Sequence, residues 1–221
     1  MFSKVHSIGI LGVEGYPVVV EADVSEGLPG FTMVGYLSGA VREAQDRVRT
    51  ALKNSGFRLP ARKITVNLSP ADIRKEGTGF DLPIAVAVLA ATGLVDQSIL
   101  DTSVLVGELG LDGRIKPVSG ILSIVAAAGN AGKKRCFLPI PNVSEGQIIG
   151  NIDIIGVENI KELAAVLNDP DRLSPAPRRD SHCLSETESY DVDFSDKVTK
   201  IVFVRYILNS ISNGVILISF F

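Results

Sequence analysis

With 221 residues, the chain is long enough for one domain with an appendage or for two small domains. Its 22 basic and 25 acidic residues give a formal net charge of −3, and 46% of its residues are hydrophobic. This composition is that of an ordinary soluble globular protein, and it excludes a disordered acidic tail, a collagen and a wholly basic nucleic-acid arm.

Residues 1–167 carry alternating strand and helix patterns, joined by short connections that glycines mark. The period-2 alternation of apolar residues predicts strands at Val18–Val24 and at Ile64–Leu68, the second ending before Pro70. Ser38 is a suitable N-cap for one long helix that ends at Gly56. The apolar residues of that helix recur at helical spacing: Val41, Ala44, Val48, Ala51 and Leu52.

The next part of the chain predicts a buried helix, a hairpin and further strands and helices. The string DLPIAVAVLAATG is apolar nearly all round and has Pro83 in its first turn, which predicts a helix buried against a sheet. Asp112-Gly113 predicts a turn between the strands SVLVGEL and GRIKPV. The remaining elements are predicted as a helix at 119–131, a strand RCFLP, a helix at 143–149, a strand DIIGV and a helix at 158–167. This order predicts an α+β or α/β sandwich of a mixed sheet and helices.

The composition changes after Leu167. Residues 168–196 combine prolines with charged and polar residues, which predicts an exposed linker. The segment 197–221 ends in IVFVRYILNSISNGVILISFF, with one charge and fourteen apolar residues in twenty-one. This stretch approaches the length of about 20 residues that a membrane-spanning helix needs. Because Arg205 and Asn213 interrupt it, a membrane anchor is disfavoured.

Cysteine and histidine residues are sparse. Cys136 and Cys183 form no CxxC pair, so the sequence predicts neither a disulfide framework nor a thiolate zinc site. His6 and His182 are separated by nearly the whole chain, and no metal site is predicted. This cysteine usage fits a reducing cytoplasm best. The N-terminal residues also lack the apolar run of a secretory signal.

Three strings carry a family resemblance: KVHSIGILGVEGYPVVVEADVSEGLPGFTMVG, VREAQDRVRTALKNSGFRLPARKITVNLSPADIRKEGTGFDLPIA and GELGLDGRIKPVSGIL. They resemble the N-terminal domain of the Mg-chelatase-like AAA+ ATPase family, the group that includes ComM and YifB. The resemblance implies that residues 1–167 form a Lon-protease-like, ChlI-type domain, a two-layer sandwich that precedes an ATPase module. ATP and magnesium are implied only for that module, and no cofactor is assigned to this chain.

The sequence contains no recognisable ATPase module. Asp193–Asp196 match the string DFSD that leads into the module in the family, and the resemblance stops at Lys197. The nearest match to a phosphate-binding loop, around Gly132, lacks both the first glycine and the Ser or Thr that ligates magnesium. We expect residues 197–221 to be an out-of-frame or prematurely ended reading of a gene whose ATPase has been lost.

The resemblance to Lon makes peptidase activity another candidate function. A Lon-type peptidase uses a serine nucleophile and a lysine base. The loop Lys75–Leu82 corresponds to the nucleophile string but has no serine, and Leu122 stands at the lysine position. Thr78 and Lys116 are conceivable replacements. A hydroxyl in a glycine-rich loop more often forms a turn, however, and we expect Lys116 to be solvated. The sequence therefore predicts no catalytic residue and no enzyme activity for the chain as it stands.

The same glycine-rich loop is a candidate ligand-contacting element, with Gly77, Thr78, Gly79 and Asp81 as its functional residues. The two glycines permit positive φ and a close approach to another group. Asp81 stands directly before the apolar helix, so capping of the helix amides is a sufficient role for it. The lone carboxylate of Glu108, beside the hairpin, is interpreted as a turn or surface residue.

Positive charge concentrates between Arg42 and Lys75, where nine basic residues accompany three acidic ones. On the predicted helix, Arg42, Arg49 and Lys53 form a stripe opposite the apolar face. This stripe, with Arg74 and Lys75, is the candidate DNA-contacting surface, which could neutralise phosphates without reading bases. The alternative is a solvated helix face. Because no aromatic residues interleave with the stripe, base stacking is not predicted.

Three functions follow from the sequence. The first is a non-catalytic accessory domain that helps a ring ATPase of this family to assemble or to engage DNA, in DNA processing and competence. The second is a stand-alone oligomerisation module, which forms a homo-oligomer without binding DNA. The third, a Ser/Lys peptidase, is disfavoured by the missing dyad. No small-molecule substrate and no membrane partner are predicted.

Overall fold

The structure, a computed structural model, describes residues 1–173, 175 and 176. The strands of this part are β1 (Phe2–Leu11), β2 (Glu14–Ser25), β3 (Gly30–Val34), β4 (Lys63–Ser69), β5 (Ser103–Leu105), β6 (Glu108–Leu109), β7 (Ile115–Lys116), β8 (Arg135–Pro139) and β9 (Asp153–Val157). Its α-helices are α1 (Gly39–Arg42), α2 (Ala44–Asn54), α3 (Asp81–Ala91), α4 (Ile121–Asn130), α5 (Val143–Gly146) and α6 (Ile160–Asn168). Short 3₁₀ helices lie at Leu100–Thr102, Ile140–Asn142 and Pro170–Arg172.

The predicted segment 197–221 lies wholly outside the described residues, and most of the predicted linker 168–196 does too. Among the helices that are described, none is long and apolar enough to cross a bilayer.

Seven of the described strands form one mixed sheet in the order β3-β4-β2-β1-β5-β8-β9. Strand β1 pairs antiparallel with β2, and β2 pairs antiparallel with β4. The other neighbours run parallel: β3 with β4, β1 with β5, β5 with β8, and β8 with β9. The predicted sandwich of a mixed sheet with helices is therefore confirmed.

Helices cover both faces of this sheet, so the described part has three layers where the family resemblance implied two, because the strands carry buried apolar residues on both faces. Helices α2, α3 and α6 pack on one face, over the alternating residues of β2 and β4 that the sequence assigned to strands. Helix α4 packs on the other face, below β1, β5, β8 and β9. Because successive strand residues point to opposite faces, Phe137 of β8 joins the first core and Cys136 joins the second. Helix α3 is buried along its whole length, as its apolar sequence predicts.

The helix predicted from Ser38 to Gly56 is divided into α1 and α2 at Glu43. Ser38 caps α1 as predicted, since its hydroxyl accepts from the Val41 amide at 3.4 Å. The break has a side-chain cause. The Ala40 carbonyl, which a continuous helix would offer to the Ala44 amide, accepts instead from the Arg47 guanidinium at 2.8 Å.

The predicted strand SVLVGEL is also divided. Its first three residues form β5 in the main sheet, and its last two form β6, which pairs with β7 in a separate two-stranded hairpin. Gly107 lies where the chain turns from β5 into β6. Its amide donates to Gly79 O, and its carbonyl accepts from the Leu82 amide, both at 3.0 Å. Gly113 occupies the predicted hairpin turn with φ +84°.

Candidate functional site

A groove of about 520 Å³ lies at the β3 edge of the sheet, between α2 and the segment 57–62. We call it the basic groove. It is lined by Pro29, Gly30, Phe31, Arg49, Lys53, Phe57, Arg58, Leu59, Pro60, Ala61, Arg62 and Ile64.

The end of α2 builds this groove by turning the chain back along the helix. Gly56 adopts φ +83°, its amide donates to Lys53 O, and the Phe57 amide donates to Leu52 O, both at 3.0 Å. These two hydrogen bonds are those of a Schellman motif, which favours glycine at the left-handed position. The segment 57–62 then returns to the sheet, where the Gly30 amide donates to Arg62 O at 3.3 Å.

The rim of the basic groove is strongly positive. Arg49, Lys53, Arg58 and Arg62 are all exposed, and none of the described residues that line the groove is acidic. Among the described residues, none of these four cations takes part in an ion pair. The four charges therefore repel one another across one depression of the surface, an arrangement that a bound anion would stabilise.

The floor of the basic groove is apolar and aromatic. Phe31 and Phe57 are half-buried and pack against the core, and Ile64 beside them is buried. No aromatic residue interleaves with the basic stripe along the helix, as the sequence indicates, but the fold brings two aromatic residues beside it. The aromatic rings come from β3 and from the turn after α2, and spacing along the helix alone does not reveal them.

The structure separates the five predicted DNA-contacting residues. Arg49 and Lys53 line the basic groove, and Arg42 is exposed on α1 but does not line it. Arg74 is exposed on a different part of the surface, where its Nη1 lies 3.4 Å from Glu76 Oε1. The sequence missed Arg58 and Arg62, which lie in the basic segment but beyond the helix whose spacing was used.

The assignment of Lys75 to the DNA-contacting surface is wrong. Its side chain is fully buried, and its Nζ donates to Ile73 O at 2.8 Å. The cause is local pairing, because the Lys75 amide donates to Tyr36 O at 2.8 Å and its carbonyl accepts from the Ser38 amide at 3.0 Å. These bonds fix the backbone beside α1, and burial lowers the pKa of the Lys75 ammonium.

A second cavity, of about 480 Å³, lies over the glycine-rich loop. Thr78 and Glu108 line this cavity, and the Thr78 hydroxyl donates to Glu108 Oε2 at 2.5 Å. Lys116, which does not line it, has its Nζ 3.4 Å from Glu108 Oε1. Glu108 therefore bridges Thr78 and Lys116 from a position where its side chain is only 27% exposed. The interpretation of Glu108 as a turn or surface residue is corrected, since its carboxylate is the centre of this cluster.

The two glycines of the loop behave differently. Gly77 adopts φ +81°, as predicted. Gly79 does not have a positive φ, and a Cβ there would lie 3.4 Å from Val106 Cγ1, an ordinary contact, so the predicted requirement for glycine is wrong at this position. Across the described residues, no group of three or more His, Cys, Asp or Glu side chains is arranged to hold a metal ion.

Asp81, also predicted as a functional or capping residue, makes a different contact. The N-cap of α3 is Phe80, and Asp81 is the first residue of the helix. Its carboxylate accepts from Arg47 Nε at 2.8 Å, from Arg47 Nη2 at 2.9 Å and from the Leu109 amide at 3.3 Å. Burial raises the pKa of Asp81, while the Arg47 guanidinium and the Leu109 amide oppose that rise. The predicted capping role is therefore replaced by a buried ion pair.

Comparison with known proteins agrees with this geometry and with the motifs of the sequence. Residues 20–142 match the family described as subunit ChlI of Mg-chelatase. The chain belongs to this ChlI family. The match extends from β2 to the 3₁₀ helix before α5, so it includes the basic groove and the glycine-rich loop.

Relatives of this ChlI-family chain include YifB and ComM proteins. It is 50% identical over 132 residues to YifB of Escherichia coli, covering 60% of this chain and 26% of that protein. It is 39% identical over 169 residues to competence protein ComM of Haemophilus influenzae, covering 76% of this chain and 33% of that protein. The chain thus spans a third or less of these relatives.

A more distant similarity connects the same region with a peptidase. The chain is 24% identical over 175 residues to Lon protease of Mycolicibacterium smegmatis, covering 74% of this chain and 22% of that protein. The three sequence strings predict membership of the ChlI-type family that includes ComM and YifB, and the family match and these relatives confirm it.

Proposed function

We propose that this ChlI-family domain is an accessory module that holds nucleic acid by its phosphates for a larger protein of the ComM and YifB type. The observation that carries the proposal is a set of four exposed cations around one groove, none of which forms an ion pair with another described residue: Arg49, Lys53, Arg58 and Arg62. Phosphate contacts release condensed counterions and give binding that depends on salt more than on sequence. The relative from Haemophilus influenzae is named for competence, which fits a nucleic-acid partner.

In this proposal the domain contributes no catalysis of its own. The loop that corresponds to the Lon nucleophile string contains Thr78 and no serine, and Leu122 stands in place of the lysine base. The Thr78 hydroxyl donates to the Glu108 carboxylate, and Lys116 pairs with the same carboxylate. Because both side chains donate to Glu108 and not to each other, the cluster lacks the hydrogen bond from a nucleophile to its base that a peptidase of this kind uses. ATP hydrolysis would belong to another part of the larger protein, in a cytoplasmic setting.

The test measures binding of the full chain to fluorescein-labelled DNA by fluorescence anisotropy, at two salt concentrations. The test variant is Arg49→Glu with Lys53→Glu, which reverses two charges of the groove rim. The matched control is Lys134→Glu with Lys161→Glu, which makes the same change in net charge at two exposed lysines outside the groove.

We expect the rim variant to bind DNA at least tenfold more weakly than the unaltered chain and the control variant to stay within about twofold, because only the rim faces the phosphates. If both variants lost DNA affinity equally, the loss would follow from the change in net charge alone. That result would refute a DNA-binding site in the basic groove. If no form binds DNA and light scattering shows a multimer, the accessory role is oligomerisation instead.

A further inference from the structure

We propose that the basic groove binds an unpaired nucleotide unit, with its base on the aromatic floor and its phosphates on the cationic rim. This inference rests on the proposed function and narrows its substrate class to single-stranded nucleic acid. Two features of the groove carry it: the composition of the floor and the concave shape.

The floor consists of aromatic and aliphatic side chains rather than hydrogen-bonding groups. Phe31 of β3 pairs with Ile64 of β4. The two side chains therefore lie next to each other on the face of the sheet that α2, α3 and α6 cover. Phe57 and Leu59 add to the same surface from the segment after α2, and all four residues line the groove. Because both phenylalanines also pack against the core, the floor is held in place before a ligand arrives. A surface of this kind stacks any base and distinguishes among bases weakly.

The rim and the floor together select for an unpaired strand. A duplex keeps its bases stacked inside and presents phosphates on a convex surface, so it can reach the rim but leaves the aromatic floor unused. A single strand can turn a base into the groove while its phosphates stay at Arg49, Lys53, Arg58 or Arg62. The groove volume of about 520 Å³ also lies within the range of pockets that enclose organic ligands.

The first experiment compares a labelled oligothymidylate with a labelled duplex of equal length, both titrated with the full chain. The test variant is Phe31→Leu with Phe57→Leu, which keeps an apolar floor but removes both rings. The matched control is Phe2→Leu, at an exposed phenylalanine outside the groove. Circular dichroism melting establishes that each variant is folded. Competition by thymidine 5′-phosphate and by inorganic phosphate separates a strand from a free nucleotide or a simple anion.

We expect the oligothymidylate to bind about tenfold more tightly than the duplex, and this preference to be lost in the double leucine variant and kept in the control. Equal affinity for both DNA forms, unchanged by the leucine substitutions, would overturn the inference. If Arg49→Glu with Lys53→Glu still weakened binding in that case, the proposed function would stand. Thymidine 5′-phosphate could also displace the oligomer at a concentration no higher than the oligomer concentration that half-saturates the chain. That result would overturn the inference of a strand and indicate a free nucleotide as the ligand.

A second readout needs no substitution. Oligomers that carry 5-iododeoxyuridine are irradiated in complex with the unaltered chain, and the crosslinked residue is located by mass spectrometry. A crosslink to Phe31 or Phe57 supports stacking in the groove. Crosslinks found only outside the groove residues would overturn it, even if the leucine variant failed to fold.

Discussion

Arg47 and Asp81 form a two-pronged ion pair that fastens α2 to the first turn of α3. Nε of Arg47 lies 2.8 Å from one carboxylate oxygen of Asp81, and Nη2 lies 2.9 Å from the other. The Asp81 side chain is 1% exposed and that of Arg47 is 21% exposed. The same guanidinium holds the Ala40 carbonyl where α1 ends, and the same carboxylate accepts from the Leu109 amide of β6. One pair therefore joins α1, α2, α3 and the β6–β7 hairpin.

Asp81→Asn should lower the free energy of unfolding by about 3 kcal/mol, because it removes the buried partner of Arg47 and leaves the guanidinium with the exposed Glu43 carboxylate, 3.6 Å from Nη1. Urea denaturation measures the loss. The matched control is Glu76→Gln, which breaks the exposed pair with Arg74 and should cost about 0–1 kcal/mol. The paired replacement of Arg47 by Met and Asp81 by Leu should recover much of the loss. Equal losses for Asp81→Asn and Glu76→Gln would contradict a buried pair.

His6 should make the protein less stable in mild acid. Burial, followed by the positive charges of Lys133 and Lys4, lowers the pKa of His6 below its ordinary value, and Asp101 acts in the opposite direction. The unfolded chain therefore binds more protons than the folded chain between the two pKa values, so the free energy of unfolding rises with pH through that window. This contribution is fully present above the unfolded value of about 6.5 and is lost as pH falls towards the folded value.

The check compares His6→Gln with the unaltered chain in urea between pH 5 and pH 8, so that contributions from other groups cancel. The stability advantage of the unaltered chain over His6→Gln should grow as pH rises through the window. A difference that stays constant, or that grows in acid, would show that the His6 pKa is not lowered by folding.

Gly113 and Gly56 offer a matched pair for the hairpin turn, since their φ angles are +84° and +83°. A Cβ on Gly113 would overlap Ser55 Oγ and lie 3.2 Å from Ile160 Cγ2, whereas a Cβ on Gly56 would meet nothing within 4 Å. Both alanine variants should lose about 1–2 kcal/mol to left-handed backbone strain, and Gly113→Ala should lose more. Thermal unfolding measures both, and a greater loss for Gly56→Ala would show that crowding at Gly113 is absent.

Cys136 should not react with alkylating reagents while the protein is folded. It lies fully buried in the core below α4, and burial raises the pKa of its thiol to about 12. The thiolate, which is the reactive form, is therefore scarce near neutral pH. Mass spectrometry of the peptide that contains Cys136 should show alkylation by iodoacetamide in urea and almost none in buffer. Equal rates in both would place the thiol at the surface.

Sequence periodicity was sufficient for features set by local rules. The strands at 18–24 and 64–68, the all-apolar helix α3, the Gly113 turn and the Ser38 cap all follow from spacing and residue type. Periodicity failed to predict two features that a side-chain contact determines, the break between α1 and α2 and the role of Asp81. Arg47 binds the Ala40 carbonyl, seven residues before it, and the Asp81 carboxylate, 34 residues after it, and apolar periodicity reports neither contact.

The basic groove could also be predicted from the sequence only in part. The positive charge of the segment 42–75 is visible in the sequence, but its use depends on the turn after α2 and on pairing with β3. Those two features bring Phe31 and Phe57 under the cations. Backbone pairing with Tyr36 and Ser38 buries Lys75 elsewhere. A glycine followed by an aromatic residue at the end of α2 was the available signal, because that pair is typical of a Schellman turn with an apolar contact.

The most direct test of the account is the salt dependence of single-stranded DNA binding, measured on the full chain and on a variant with Arg49, Lys53, Arg58 and Arg62 all replaced by alanine. Each phosphate contact contributes about −0.7 to the slope of log Kobs against log salt concentration for a single strand. Four contacts in the groove predict a slope of about −3 for the unaltered chain and a slope near zero for the variant. The same slope for both proteins would show that the groove does not hold the phosphates.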